Sequence, residues 1–139
     1  MKVLFDTNIL LDVFLSHNGF AEKSLVCMEL AEQRRIKGFV SASAVTDVYY
    51  IMQKAVRNYE IALGALRQLL KILEVLLVDK KDIDLAVSLC WKDFEYSVQY
   101  AVARRRRIAC ILTRDKKGFE FSAISVLSPN EFLAEVDKN

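Results

Sequence analysis

The sequence predicts an α/β fold in which a five-stranded, mostly parallel sheet lies between two layers of helices, a three-layer α/β/α sandwich. Short apolar runs alternate with amphipathic helical stretches along the whole chain. The runs are apolar at nearly every position, as expected of strands that are covered on both faces. The 139 residues include 53% hydrophobic residues, one Pro and four Gly, with no linker-like segment. We therefore expect one domain over residues 1–139.

Five short runs have the composition of buried strands. Each is bounded by polar residues, glycine or a helical pattern. In chain order the predicted strands cover residues 3–5, 39–40, 75–78, 108–112 and 124–127. Because parallel strands need crossover connections, helices are expected between them.

Helical patterns fill the intervals between these runs, each marked by apolar residues at helical spacing or by a capping residue. The expected helices cover residues 9–14, residues 21–36, a stretch from the cap Ser43 through Val56, a stretch after the cap Asn58, residues 82–91, and a stretch after the cap Asp93. The last helix has the strongest local signal, with Ser128 as cap, Pro129 at the first helical position and Glu131 completing a capping box.

Composition also excludes several classes of protein. No segment approaches the roughly 20 apolar residues that a membrane-spanning helix needs. Asp6 and Asp12 interrupt the apolar start that a signal peptide would require. Cys27, Cys90 and Cys110 stand alone in apolar stretches and are expected to be reduced core residues. We therefore expect a cytoplasmic protein.

The net charge of +2 is too small to indicate nucleic-acid binding by itself. Positive charge is nevertheless concentrated in the arginine run at residues 104–107, followed by Arg114, Lys116 and Lys117. Two interpretations of the arginine run stay open from the sequence. It can contact RNA, or it can be a cationic helix end that meets the negative end of the helix dipole.

Four aspartates are expected to meet at one edge of the sheet. Asp6 ends the first strand, Asp47 lies in the first turns of the helix after the second, Asp93 starts a helix and Asp115 follows the fourth strand. Ligands of such folds bind outside the carboxyl ends of the strands. Carboxylates brought together repel one another unless a cation shares the site, and all-oxygen ligation suits Mg²⁺ or Mn²⁺. The sequence therefore predicts a metal site.

Each of these residues also has a purely structural interpretation. Asp6 and Asp93 can simply cap helices. Asp47 is harder to explain in that way, because its neighbours have a core-facing pattern. The single histidine, His17, is expected in a loop or on the surface rather than among the ligands.

Several segments resemble the motifs of PIN-domain ribonucleases. They read F-D-T-N-I-L-L-D at 5–12, S-A-S-A-V-T-D-V-Y-Y at 41–50, D-F-E-Y at 93–96, I-L-T-R-D-K-K-G-F at 111–119 and S-P-N-E-F-L at 128–133. The resemblance implies a parallel five-stranded sheet with an acidic cluster that binds Mg²⁺ or Mn²⁺ and hydrolyses phosphodiesters. It also implies the toxin of a toxin–antitoxin pair, with single-stranded RNA, an antitoxin protein and a second copy of the chain as partners.

The resemblance assigns roles to five residues by motif matching. Asp6 and Asp47 take the first and second acidic positions, and Asp115 takes the fourth. Thr113 is implied as a supporting hydroxyl, and Asn8 as the polar residue that orients Asp6.

The third acidic position departs from the family. Relatives of this branch usually carry an aspartate where this chain has Tyr96, and often another where it has Gly118. Asp93 lies one helical turn before Tyr96 on nearly the same face and is the expected substitute ligand, whereas Glu95 is expected to point about 100° away. The sequence thus favours a metal-dependent ribonuclease. The alternative is a weakened or inactive PIN-like module that binds RNA or a protein partner.

Overall fold

Five parallel strands form a sheet with the order β3-β2-β1-β4-β5. The structure is a computed structural model that describes residues 1–138. Its strands are β1 (Lys2–Phe5), β2 (Lys37–Ser41), β3 (Glu74–Leu76), β4 (Cys110–Leu112) and β5 (Ser125–Leu127). All four pairings between neighbouring strands are parallel, which confirms the predicted sheet.

Helices connect the strands, as parallel pairing requires. They are α1 (Thr7–Phe14), α2 (Ala21–Glu32), α3 (Ala42–Val56), α4 (Tyr59–Ile72), α5 (Lys80–Leu89), α6 (Phe94–Arg105) and α7 (Pro129–Asp137). A short 3₁₀ helix, Lys116–Phe119, lies between β4 and β5.

The side chains of the sheet alternate between two hydrophobic cores. Val3 and Phe5 of β1 belong to a core that is shared with α1, α2, α3, α4 and α7. Leu4, between them, belongs to a core on the opposite face, which includes residues of α6. A neighbouring cluster on that face joins α5 to α6. This arrangement confirms the three-layer sandwich and explains why the strands are apolar at successive positions.

Several element boundaries differ from the sequence prediction. β3 begins and ends earlier than the run 75–78, and β4 omits the first two residues of 108–112. Ser41 rather than Ser43 caps α3, because Ser41 is still extended and its Oγ accepts a hydrogen bond from the N–H of Ala44 at 3.2 Å. Likewise α5 starts before residue 82, because Asp79 forms a capping box with Asp82.

The arginine run takes part in helix packing. Arg105 and Arg106 each place Nη1 2.7 Å from the Oδ1 atom of Asp82, which is fully buried in α5. The two arginines thereby join α6 to α5. Arg104 and Arg107 are exposed, and contact with RNA stays a prediction for those two residues.

The cysteine prediction is wrong at one position. Cys27 and Cys110 are buried, but Cys90 is exposed, at a left-handed backbone position (φ 55°) that ends α5. Across residues 1–138, no helix has both the length and the apolar character needed to cross a membrane.

The carboxyl ends of β1 and β4 form the topological switch point of the sheet. These two strands are neighbours, yet the chain continues from β1 to β2 on one side and from β4 to β5 on the other. Connections that diverge in this way leave a crevice at the carboxyl edge, where ligands of open α/β sheets bind. Asp6 follows β1 directly, and Asp115 follows β4 after two residues.

Candidate active site

Asp6 presents a buried and fully hydrogen-bonded carboxylate at this switch point. The residue is 1% exposed and caps α1. Its Oδ1 accepts hydrogen bonds from the N–H of Thr7 (2.7 Å) and from Nε2 of Gln99 (2.9 Å). Its Oδ2 accepts from Oγ1 of Thr113 (2.7 Å) and Nδ2 of Asn8 (3.2 Å). Burial raises the pKa of this carboxyl above its usual value, and the negative charge of Asp115 adds to the rise. The hydrogen bonds lower the pKa but do not cancel the effect of burial. Four donors therefore fix the orientation of the group.

Thr113 and Asn8 join the loop after β4 to the loop after β1. The Oγ1 atom of Thr113 donates to Asp6 and accepts from the backbone N–H of Asp115 at 2.9 Å. Asn8 donates to the same Oγ1 at 3.2 Å and accepts from the N–H of Arg114, also at 3.2 Å. These contacts hold Asp6 and Asp115 at neighbouring positions.

Arg114 fixes the β4 loop from its other side. Its guanidinium donates in bidentate fashion to Asp12, with Nε–Oδ2 at 2.7 Å and Nη2–Oδ1 at 2.9 Å. Asp12 is fully buried in α1, and it also contacts Nδ1 of His17 at 2.9 Å. The guanidinium lies 3.9 Å above the Phe20 ring. Arg114 is therefore a positioning residue. His17 lies in the loop after α1, and this position agrees with the sequence prediction for His17.

Asp115 and Tyr96 form a direct pair. The Tyr96 hydroxyl donates to Oδ2 of Asp115 at 2.9 Å, and the N–H of Gly118 donates to Oδ1 at 3.2 Å. The Tyr96 ring packs against Phe119 with centroids 4.6 Å apart. Burial and the negative charges of Asp6 and Asp115 raise the pKa of Tyr96 well above its usual value. The phenol therefore stays protonated and holds the Asp115 carboxylate in place.

The two departures from the family motif are packed against each other. A Cβ atom at position 118 would overlap ring carbons of Tyr96 and lie 3.2 Å from Oδ2 of Asp115. The backbone of Gly118 is not left-handed, so space rather than conformation requires glycine there. Tyr96 and Gly118 are thus one structural unit, since the ring occupies the volume that a side chain at 118 would fill.

Glu95 lies closer to the second acidic position than the sequence indicates. Its carboxyl hydrogen-bonds to Asp47, and this bond, burial, and the charges of Asp47, Asp93 and Asp6 raise the pKa of Glu95 to about 8. Glu95 therefore reaches the second acidic position, although it lies about 100° from Tyr96 around the helix. Tyr96 and Glu95 thus reach different acidic neighbours, Asp115 and Asp47 respectively.

Asp93 is exposed at the start of α6. Its Oδ1 accepts a hydrogen bond from the N–H of Tyr96 at 3.1 Å, which is the capping interaction that the sequence offers as the structural alternative. Its charge nevertheless acts on both Glu95 and Tyr96. The role of Asp93 as a substitute ligand stays a prediction.

Gln99 is the contact of Asp6 that sequence analysis missed. It is 1% exposed on α6, and its amide donates directly to Asp6. The available signal was a single amide inside the apolar stretch 98–103, since a buried polar side chain needs a partner.

The donor set suits a hard divalent cation. Its groups are carboxylates, and within residues 1–138 no three His, Cys, Asp or Glu side chains gather closely enough to hold an ion by themselves. Magnesium in proteins is often bound through one or two carboxylates and keeps several waters. Two residues that bond to Asp6, Thr7 and Gln99, each have a buried oxygen without a protein partner in the described chain. Asp6 and Asp115 could therefore hold Mg²⁺ or Mn²⁺ only together with bound water.

Comparison with known proteins identifies the family. The sequence profile described as "PIN domain" matches residues 2–117, which is most of the chain. The chain belongs to the PIN-domain family. Asp6, Asp47, Asp93 and Asp115 all lie inside the matched region of this PIN domain.

A protein named as a ribonuclease is similar to this PIN domain over most of its length. Ribonuclease VapC1 of Aquifex aeolicus (strain VF5) is 27% identical over 136 residues, which cover 94% of this chain and 92% of that protein. A chain of the DNA-bound VapBC structure from Salmonella typhimurium superposes with a TM-score of 0.72 and 17% identity, covering 93% of this chain and 98% of that chain. VapBC2 from Rickettsia felis, bound to a promoter DNA fragment, gives a TM-score of 0.71 with 16% identity, over 92% of this chain and 98% of that chain. The structural matches show that the fold is shared.

Proposed function

We propose that this PIN domain is a metal-dependent endoribonuclease that hydrolyses RNA phosphodiester bonds at the carboxyl edge of β1 and β4. The observation that carries the proposal is the environment of Asp6. Its buried carboxylate is held by four donors and is linked through Thr113 to Asp115, at the switch point of the sheet. The family relationship to Ribonuclease VapC1 supports the choice of RNA as substrate.

Asp6 and Asp115 would hold Mg²⁺ or Mn²⁺, with Asp47 and Asp93 on the same acidic edge. A bound ion of this kind lowers the pKa of water and stabilises charge on phosphate oxygens. The residues of the chain orient this chemistry. Tyr96 fixes one oxygen of Asp115, while Asn8 and Thr113 fix one oxygen of Asp6.

Glu95 is a candidate proton-transfer group beside this edge. Its contact with Asp47 is the largest cause of its raised pKa. A carboxyl whose pKa lies near neutrality can both take up and release a proton at the pH of the cell. Glu95 is therefore suited to general acid–base work on the substrate strand.

We also propose partners of three kinds: single-stranded RNA, an antitoxin protein and a second copy of the chain. VapBC complexes among the structural neighbours support the antitoxin. An open sheet edge with a carboxylate cluster admits a flexible strand more readily than a duplex, which supports a single-stranded substrate.

A second candidate function is a PIN module that binds RNA or a protein without cutting RNA. The Tyr96–Asp115 pair favours it, because a phenol stands where relatives carry a third acid, and its hydroxyl bonds to the fourth. Gly118 is linked to this departure from the family motif, because a side chain at position 118 would overlap the Tyr96 ring.

A cleavage assay separates the two functions. Wild-type protein and Asp6→Asn are incubated with a mixture of labelled single-stranded RNAs, with Mn²⁺ or with EDTA. The nuclease proposal expects Mn²⁺-dependent cleavage by wild type and none by Asp6→Asn, with identical circular dichroism. Asp84→Asn, on an exposed aspartate of α5, is the matched control and is expected to cleave normally. Binding of RNA without cleavage by wild type would establish the second candidate instead.

A further inference from the structure

A cleft lined by aromatic side chains opens directly beside Asp115. Its volume is about 590 Å³, within the range of small-ligand sites in proteins. The residues of its lining that matter here are Trp91, Tyr96, Phe121, Lys92, Lys117 and Asp115. The cleft thus shares Asp115 and Tyr96 with the acidic site and extends away from it past Gly118.

The aromatic side chains of the cleft differ in how firmly they are held. Trp91 packs on Tyr100 with centroids 4.8 Å apart and meets Phe119 edge-on at 6.4 Å, so its ring is fixed. Phe121, in the segment that follows the 3₁₀ helix, is 73% exposed. A fixed ring and an exposed ring on one cleft offer a stacking platform to a flat ligand.

The charges around the cleft indicate which part of a nucleotide would bind. Lys92 and Lys117 make no ion pair within residues 1–138, so their ammonium groups are available to an anion. Asp93, Asp115 and Glu120 line the same cleft, so its acidic side chains outnumber the two lysines. Attraction of phosphate alone would therefore be weak, and stacking of the base would carry most of the affinity.

We propose that this cleft is a base-binding subsite for single-stranded RNA, in which the base beside the reacting phosphate stacks on Phe121 and Trp91. The inference rests on the proposed function, since it takes the bound strand to be the RNA substrate. It deepens that function because a base held here would position the neighbouring phosphate beside Asp115.

Trp91 allows a direct test because it is the only tryptophan of the chain. Its fluorescence is followed while wild-type protein in EDTA, which prevents metal-dependent cleavage, is titrated with three oligomers of equal length. These are oligouridylate, oligoadenylate and an abasic oligomer that keeps the phosphates. The base-bearing oligomers are expected to change Trp91 fluorescence and the abasic oligomer is not. Equal binding of the abasic oligomer, or no response to any oligomer, would overturn the proposal.

The variant Phe121→Ala tests the stacking role. Because the side chain is mostly exposed, the fold is expected to be unaffected. Affinity for the base-bearing oligomers should fall about tenfold, the usual effect of removing one aromatic stacking partner. Tyr59→Ala, on a comparably exposed aromatic residue of α4, is the control and should bind normally. Unchanged affinity in Phe121→Ala would refute the subsite.

Addition of Mn²⁺ to the same samples separates this proposal from the proposed function. A base-dependent signal without cleavage would support the subsite and contradict the nuclease. Cleavage with equal KM in wild type and Phe121→Ala would support the nuclease and contradict the subsite. If both proposals hold, Phe121→Ala raises KM and leaves kcat unchanged.

Discussion

Replacement of Gly118 with alanine places a methyl group against the ring of Tyr96. The built Cβ overlaps the ring edge, and Tyr96 cannot swing away freely because its hydroxyl bonds to Asp115 and its ring packs on Phe119. Overpacking of this kind costs about 1 to 3 kcal/mol. The reduced entropy of the unfolded chain returns about 0.4 to 1 kcal/mol. We therefore expect Gly118→Ala to lower the free energy of unfolding by about 1 to 2 kcal/mol.

A double-mutant cycle isolates this contact. In the Tyr96→Ala background the clash is gone, so Gly118→Ala should become neutral or slightly stabilising, with a coupling energy of about 1 to 3 kcal/mol. Urea unfolding followed by Trp91 fluorescence measures all four proteins. Gly64→Ala is the control, since a Cβ there meets nothing within 4 Å in α4 and should stabilise the protein by about 0.5 to 1 kcal/mol. An equal effect of Gly118→Ala in both backgrounds would refute the packing argument.

Two further predictions concern ion pairs between a buried aspartate and partly exposed arginines. Asp12→Ala leaves the guanidinium of Arg114, whose side chain is 30% exposed, without its bidentate partner and should cost about 1.5 to 3 kcal/mol in urea unfolding; a loss below about 0.5 kcal/mol would contradict this role. For Asp82, burial alone raises the pKa, but hydrogen bonds from its two arginines and from the Asp79 backbone outweigh burial and hold the pKa at about 2, below the ordinary 3.8. A lowered folded-state pKa means that this stabilisation is complete above pH 3.8 and is lost as the pH falls toward 2. Thermal melts of wild type should drop over that interval more steeply than those of Asp82→Asn, and parallel curves would rule the linkage out.

The sequence predicted the architecture because the strands are buried on both faces. Such burial requires apolar side chains at successive positions, and this pattern is visible without knowledge of any contact. The positions of Asp6 and Asp115 at one edge followed from the alternation of strands and helices. The boundaries of the helices were predicted less accurately. Ser41 and Asp79 are the caps because the backbone is still extended at each of them, and this depends on where the preceding segment ends.

The finer structure of the site depends on contacts between distant segments. Gln99 lies 93 residues from Asp6, and nothing in its local sequence states which carboxylate it meets. The approach of Glu95 to Asp47 depends on how α6 is rotated against α3. The packing of Tyr96 against Gly118 is visible in the sequence only as two separate departures from the family motif, and their contact becomes apparent only in the structure.

The most direct test of the account is Mn²⁺ binding and RNA cleavage by wild type and Tyr96→Asp. Isothermal titration measures the affinity, and the same samples are assayed for cleavage of single-stranded RNA. The variant restores an acid at the third position and frees Oδ2 of Asp115 from the phenol. We expect measurable Mn²⁺ binding and cleavage by wild type, and both to increase in Tyr96→Asp. Equal and negligible Mn²⁺ binding by the two proteins would contradict the assignment of this acidic edge as a metal-dependent nuclease site.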